Sequence, residues 1–418
     1  MAGRLTRTTT IAAGVLGTSA AFVAGAVAIG GLASQLIERR RNRVHRRGPY
    51  VASARAVELH RTLTVVDLHA DSLLWGRDLR RRATYGHIDV PRLVEGGVAL
   101  VALAASTQVP RRVNLERNDD QTDDVTLLAL GQRWPRATWD SRLARALHLA
   151  LRLREMAADS AGRLNLVESR GDLDAYLARR EADRDSTAAF LTIEGAQALD
   201  GDLDNLELLF RAGYRMLSPA HFFDTAYGGS AHGVVKGGLT EAGRELLSRM
   251  ESIGMIMDVA HAASATIDDV LALAARPVVA SHTGVRAAAP GIRNLPDDQV
   301  RAIAATGGLV GIGFWPVACG GPDVADIARS IVTAIELAGV EHVGLGSDFD
   351  GAVPTPFDAT GMPLLTEALL AEGLSDTDIA AVMGGNAVRV LSASLPPDQM
   401  SGAISAAARA APSDSTGR

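Results

Sequence analysis

The 418-residue chain has a single cysteine, Cys319, and a single lysine, Lys236. One thiol excludes an internal disulfide and a thiolate metal cluster, so any metal site must be built from His, Asp and Glu. Ten histidines are present for that purpose. The formal net charge of −6 lacks the basic excess of a nucleic-acid binder. No glycine-rich dinucleotide fingerprint or phosphate loop follows any of the short apolar runs. The scarcity of lysine among 42 basic residues is an arginine bias and carries no chemistry of its own. A hydrophobic share of 47% and a charged share of 22% fit a folded protein and exclude a disordered one. The length suits two or three domains of about 150 residues, or one α/β barrel of roughly 250 or more.

The N-terminal region differs from the rest. Residues 11–37 carry no charge and exceed the roughly 20 apolar residues that span a bilayer. Arg4 and Arg7 precede the run, and Arg39, Arg40, Arg41, Arg43, Arg46 and Arg47 follow it. We expect residues 1–48 to be an N-terminal membrane anchor with a basic flank. The arginines favour the following domain on the cytoplasmic side. A cleaved secretory signal competes, because Ala24 and Ala26 resemble a cleavage site. The Ala-, Ser- and Pro-rich residues 394–418 are expected to form a disordered tail.

Between these ends, short apolar runs alternate with amphipathic segments. Strand-like runs are Thr64–Asp71, Val98–Ser106, Ala188–Glu194, Tyr214–His221, Gly254–His261, Pro277–His282, Gly308–Phe314 and His342–Asp348. Helical spacing occupies Ser141–Ala158, Thr240–Ser252, Ser264–Ala275, Pro296–Ala305 and Val324–Ala338, and Ser375 with Asp378 opens another helix. Eight strand–helix units predict an α/β fold, a (β/α)8 TIM-type barrel over residues 53–393. The connection from Gln108 to Thr187 is too long for one crossover; its polar first part, through Trp139, is expected to be a lid, a homodimer contact or both.

Chemistry collects where these runs end. Asp67, His69 and Asp71 alternate onto one face of the first strand. Glu194, His261, His282 and Asp348 each close a later strand, and in a barrel those ends meet at one face. One such polar residue could be a satisfied core group, but so many buried together need a shared partner. Imidazole and carboxylate suit zinc and related dications. The number of ligands exceeds one tetrahedral site, so two metals are expected, with Glu194 as the natural bridge. Paired cations about 3.5–4 Å apart can share a hydroxide and stabilise the attacked oxygen, which is hydrolase chemistry.

At these residues the sequence resembles the membrane dipeptidase (renal dipeptidase) family of zinc metallopeptidases. The matching pieces include DLHAD at Asp67–Asp71, HIDVPRLVEGGV at His87–Val98, IEG at Ile193–Gly195 and GLTEAGRELL at Gly238–Leu247. GMIMDVAH at Gly254–His261, ASHTGVRA at Ala280–Ala287, RNLPDDQVRAIAATGG at Arg293–Gly308, GLGSDFDG at Gly344–Gly351 and GGNAVRVL at Gly384–Leu391 continue the series. The resemblance covers roughly residues 55–393 and implies a barrel with two Zn2+ ions per chain. It implies His69, Asp71 and Glu194 around the first zinc, and Glu194, His261 and His282 around the second. It further implies Asp348 as proton acceptor and donor beside the nucleophilic hydroxide, and Arg293 as the partner of the substrate carboxylate. His221 corresponds to a substrate-contacting histidine that stabilises the oxyanion, with a packed structural histidine as the bland reading and His232 as a competitor.

Three departures stand out. SPAHFFDTAYGGSAHG replaces the usual Thr-rich form around His221, Ser72 stands where the family often begins Leu-Pro, and Cys319 cannot form the disulfides of secreted animal relatives. His45, His60, His87, His148 and His342 receive no chemical role, with His60 and His148 expected exposed or half-buried. Asp67 reads as a ligand-orienting or core carboxylate, Asp350 as a loop support, and Asn386 as a capping or helix-interrupting residue. The expected activity is hydrolysis of small dipeptides, with D-residue tolerance and β-lactam opening implied by the resemblance. The alternatives are another small-amide or N-acyl amino acid hydrolase, and a catalytically inactive membrane-tethered binding protein.

Overall fold

The computed structural model describes residues 34–397. Most of the apolar run, through residue 33, and residues 398–418 of the expected tail lie outside the described residues. Among the described residues no helix is long and apolar enough to cross a membrane. Residues 34–41 are helical and lie against the main body of the protein.

Among the described residues nine strands form one sheet: β1 (Val65–Ala70), β2 (Val98–Ser106), β3 (Leu164–Leu166), β4 (Thr187–Glu194), β5 (Tyr214–Leu217), β6 (Ile256–Met257), β7 (Val279–Thr283), β8 (Leu309–Ile312) and β9 (Val343–Leu345). The order is β6-β5-β4-β2-β1-β9-β8-β7, and every ladder is parallel. The sheet is curled in the manner of a TIM barrel. At its seam, β6 and β7 meet through one parallel bridge, Asp258 with Val279, and a 2.8 Å bond from Val259 N to Val279 O.

All eight expected strand runs contain a strand, but several are shorter than the apolar run. Only Ile256–Met257 of Gly254–His261 is regular, and Tyr214–His221 pairs only as far as Leu217. The apolar pattern continues beyond the ladder because the loop above it is also buried, so burial and strand pairing diverge there. The additional β3 comes from the long second connection. It shares one edge of β4 with β5, pairing at Thr187–Ala189 while β5 takes Leu191–Ile193.

Both faces of the sheet are covered, which is why β2 reads as a continuous apolar run and is buried at every residue. On β1, Val66 and Leu68 belong to the same buried cluster as Ala387 and Val390 of the last helix, and a register shift between Asp67 and Ala70 breaks the alternation where the strand delivers His69. Helix starts follow their caps. Ser141 Oγ accepts from Ala144 N at 2.9 Å, and Thr240 Oγ1 accepts from Gly243 N at 3.0 Å; each such cap contributes about 1 kcal/mol. Asn386 is a bridge as well as a helix start, since its Nδ2 donates to Val340 O at 2.7 Å and Val343 O at 2.8 Å. Gly384 before it is required by close approach, because a Cβ there would stand 1.9 Å from Thr64 O.

The polar stretch after β2 is pinned from inside. Arg145 is 1% exposed and donates to Thr107 O and Thr138 O at 2.6 Å and to Asp123 Oδ2 at 2.5 Å. A buried guanidinium satisfied by loop carbonyls fixes a segment that has little apolar area of its own.

Candidate metal centre

His69 lies at the end of β1, with Asp71 in the turn just past it. Glu194 ends β4, His282 sits within β7, and His221, His261 and Asp348 follow β5, β6 and β9 on loops. Arg293 comes from the loop after β7. All eight expected site residues are buried and share one region.

Four imidazoles surround the Glu194 carboxylate. The Nε2 atoms of His69, His282 and His261 lie 3.2, 3.3 and 3.4 Å from Oε1, and His221 Nε2 lies 3.2 Å from Oε2. His69 Nε2 also stands 3.4 Å from Asp71 Oδ2. Three groups have ligand atoms mutually within 4.8 Å: His69–Glu194–His282, Glu194–His221–His261 and His69–Asp71–Asp348. His221 and Asp348 are therefore close enough to compete as ligands, which the sequence pattern alone did not separate from substrate and proton-transfer roles.

The surroundings fix ring orientation. Ser281 Oγ donates to Asp258 Oδ2 at 2.6 Å, so it receives the Nδ1 proton of His282 at 2.9 Å. That leaves the lone pair of His282 on Nε2, facing Glu194. Arg293 Nη2 donates to His282 O at 2.6 Å and approaches His261 Nε2 at 3.2 Å, so the latter nitrogen is also an acceptor. The Arg293 guanidinium lies 5.3 Å from the Trp315 ring centroid, and its Nε and Nη1 have no partner among the described residues. Ser106 Oγ lies 3.3 Å from His221 Nδ1.

Charge is poorly balanced by protein atoms alone. Burial, reinforced by the Asp71 carboxylate, pushes Glu194 up to about 7. The same causes hold Asp348 well above the usual carboxylate range. Burial and neighbouring positive groups, Arg293 among them, keep His221, His261 and His282 well below the ordinary imidazole value. Burial opposes protonation of His69, but Glu194 and Asp71 prevail and raise it. The ring nitrogens of His69, the Oδ1 atom of Asp71 and Nδ1 of His261 are buried without a hydrogen-bond partner. Neutral imidazoles and crowded carboxylates with free lone pairs form a donor set that fits divalent cations.

The loop carrying Asp348 is conformationally costly. Asp348, Asp350 and Ala352 have φ of 59°, 64° and 62°, a left-handed region that costs a non-glycine residue about 1–2 kcal/mol. Gly351 lies between them, and a Cβ there would stand 1.8 Å from Asp348 Oδ1. Asp350 anchors the turn. Its carboxylate accepts from Ser72 Oγ and Arg77 Nη2 at 2.5 Å and His87 N at 2.6 Å, and its own N donates to His87 Nδ1 at 2.8 Å.

Several side chains differ from their sequence reading. His87 is wholly buried behind the Asp348 loop, placing a residue without an assigned role within the site's support. His60 is buried too, not half-exposed, because Thr366 Oγ1 and Gly96 O satisfy both ring nitrogens at 2.8 and 2.9 Å. Asp67 orients no imidazole; its carboxylate accepts from Ser347 N and Oγ at 2.8 and 2.5 Å, tying β1 to the end of β9. Asp258 and Ser281, which orient His282, lie inside the expected strand runs and not at their ends, and the aspartate inside GMIMDVAH is their one sequence signal. His232 binds Leu115 O through Nδ1 at 2.8 Å and lies outside the three ligand groups.

Residues 53–396 match the profile of the membrane dipeptidase family, peptidase family M19. The chain belongs to the membrane dipeptidase family. Membership places it among metallopeptidase hydrolases and agrees with a donor set of this kind. A metallopeptidase from Rhodobacter sphaeroides, solved with a phosphinate mimic of the dipeptide L-Ala-D-Ala, is 28% identical with a TM-score of 0.67; the match covers 80% of this chain and 99% of that one. An uncharacterised protein from the pqqA 5′ region of Klebsiella pneumoniae is 34% identical over 255 residues, covering 57% of this chain and 92% of its own. The dipeptidase aclJ of Aspergillus oryzae is 35% identical over 214 residues, 49% of this chain and 51% of its own. The match thus spans about half the length of that dipeptidase.

Proposed function

We propose that the protein is a two-zinc dipeptidase. The observation that carries this reading is the convergence of four Nε2 atoms on Glu194, all within 3.2–3.4 Å, with Asp71 and Asp348 alongside. His69, Asp71 and Glu194 would hold one ion; Glu194, His261 and His282 would hold the other. When bound, such a pair lowers the pKa of water and polarises a carbonyl oxygen.

The chain's own residues supply the remaining steps. Arg293 holds the substrate carboxylate through the guanidinium edge left free by His282. His221 donates toward the oxygen that gains charge in the tetrahedral transition state. The Asp348 carboxylate accepts a proton from the attacking water and returns it to the departing amide nitrogen as the C–N bond breaks.

The test is hydrolysis of L,L- and L,D-dipeptides with and without chelator, alongside metal content. Zinc-loaded protein that cleaves N-acyl amino acids but no dipeptide would overturn the substrate class. Near-zero metal in protein purified without chelator would favour an inactive binding protein. We also propose that the apolar run preceding the helix at residues 34–41 tethers the enzyme to a membrane, with the arginine flank on the cytoplasmic side; recovery of the uncleaved chain in the soluble fraction would refute the tether.

A further inference from the structure

The helix at residues 34–41 is turned opposite to an isolated surface helix. Leu36 and Ile37 are 57% and 48% exposed, whereas Glu38 is 1% exposed. Burying a carboxylate is unfavourable unless it is paired, so the helix is oriented by what Glu38 meets. Glu38 is ion-paired to Arg77, which is itself buried and donates to Asp350 at 2.5 Å. Asp350 is the anchor of the left-handed turn that begins at Asp348.

The next residues bind the same loop by a second route. Asn42 is buried, and its Oδ1 accepts from Ala352 N at 2.8 Å. Val44 forms a parallel bridge with Thr355, with His45 N to Thr355 O at 2.9 Å and Thr355 N to Arg43 O at 3.0 Å. These contacts lie outside the family match, which begins at residue 53. Strained backbone persists only where its surroundings hold it, and here part of that hold is supplied from before the matched domain.

We propose that residues 34–46 form a strap that completes the active site, with Glu38 as a positioning residue that fixes the Asp348 turn through Arg77 and Asp350. This inference rests on the reading of Asp348 as the proton-transfer group. The strap adds to the barrel's own hold on the loop, which includes Asp348 N to His69 O at 3.2 Å, Asp71 N to Phe349 O at 2.9 Å, Trp75 Nε1 to Asp350 O at 2.7 Å and the bonds of Ser72 and His87 to Asp350. Those bonds hold the loop's entry and its Asp350 corner, whereas the strap adds Glu38 behind Arg77 and holds the exit at Ala352–Thr355. A catalytic unit trimmed to residues 49–397 would keep every expected ligand and lose this support.

The experiment uses the full, zinc-loaded chain with Glu38→Ala, Glu38→Asp and Asp348→Asn. Turnover of alanyl-alanine dipeptides is measured together with metal content and hydrogen exchange over residues 349–357. We expect Glu38→Ala to lose at least tenfold in kcat, with KM and metal content within twofold of the parent. Exchange across 349–357 should accelerate, and Glu38→Asp should recover part of kcat. Should Glu38→Ala not fold, Glu38→Met combined with Arg77→Met removes both buried charges and should show the same kcat loss. A kcat within twofold of the parent in a folded variant overturns the strap, as does a loss that follows metal content. Asp348→Asn separates the two readings. If it is inactive while Glu38→Ala is fully active, only the strap fails; if it turns over normally, the role of Asp348 fails.

Discussion

The Nε2 atoms of His261 and His282 stand 2.9 Å apart, with a lone pair on each. Ser281 holds the proton of His282 on Nδ1, and Arg293 directs a donor at Nε2 of His261. Two acceptors at that separation repel unless a cation lies close to both, and the crowded carboxylates of Glu194, Asp71 and Asp348 add to the demand. Metal removal should therefore cost stability as well as activity. Dialysis against chelator is expected to abolish hydrolysis and lower Tm by about 4 °C, the shift that roughly 3 kcal/mol gives in a domain of this size. Zinc should restore both. An unchanged Tm after verified metal loss would refute a structural contribution from the ions.

Glu194 contacts all four imidazoles, whereas Asp348 approaches only the His69–Asp71 side. Glu194→Gln should lower metal content, because an amide oxygen is a weaker ligand and one carboxylate charge is lost. Asp348→Asn should keep the metal and lose roughly 10²–10⁴ in kcat, the usual worth of a positioned proton-transfer group. Gly351→Ala should resemble Asp348→Asn, since the added Cβ would displace Asp348 Oδ1. Plasma emission analysis and steady-state kinetics on the three variants would distinguish these roles, and normal turnover in Asp348→Asn would remove Asp348 from the reaction.

How far this site could be read from the sequence depended on whether each residue acts at a strand end. His69, Glu194 and His282 lie on or at the ends of buried strands, where apolar runs announce the position of the polar residue. The supports came from outside that pattern. His87 lies between strands, and the inward turn of Glu38 contradicts the apolar character of Leu36 and Ile37 beside it. Their placement follows from long-range pairing with Asp350 through Arg77 and the His87 backbone, which local periodicity cannot encode. The strand lengths failed for a related reason: loops buried under other loops keep an apolar sequence without ladder partners. Ala220 beyond β5 and Ala260 beyond β6 are examples.

Arg293 offers a sharper test of substrate recognition. Its Nη2 is occupied by His282 O, and the remaining edge is free among the described residues. Lysine has no planar fork, so Arg293→Lys cannot both hold that carbonyl and grip a carboxylate in the same geometry. Charge-assisted bonds contribute about 1.5–3 kcal/mol, which corresponds to a loss of roughly 10–150-fold in kcat/KM. Most of it should appear in KM for free dipeptides. A dipeptide amide, lacking the carboxylate, should be hydrolysed about equally poorly by parent and variant. An equal loss on both substrates would place Arg293 in the scaffold instead.

His87 couples the Asp348 loop to pH. Its Nδ1 accepts the Asp350 N–H at 2.8 Å, so the folded protein requires that nitrogen to be unprotonated. Burial is the main cause that pushes His87 down from 6.5 to about 4, against the opposing attraction of Asp350. On acidification the unfolded chain takes up this proton first, so stability is complete above about pH 6.5 and declines until the folded ring titrates near 4. The shift corresponds to about 3 kcal/mol over that window. His87→Asn retains an acceptor for Asp350 N but does not titrate. The variant should be somewhat less stable at pH 8 and lose less between pH 7 and pH 5 than the parent. Denaturant unfolding of both zinc-loaded proteins across that range isolates the His87 contribution from the ligand histidines, which are common to both. Parallel stability curves would show that the His87–Asp350 bond carries no pH dependence.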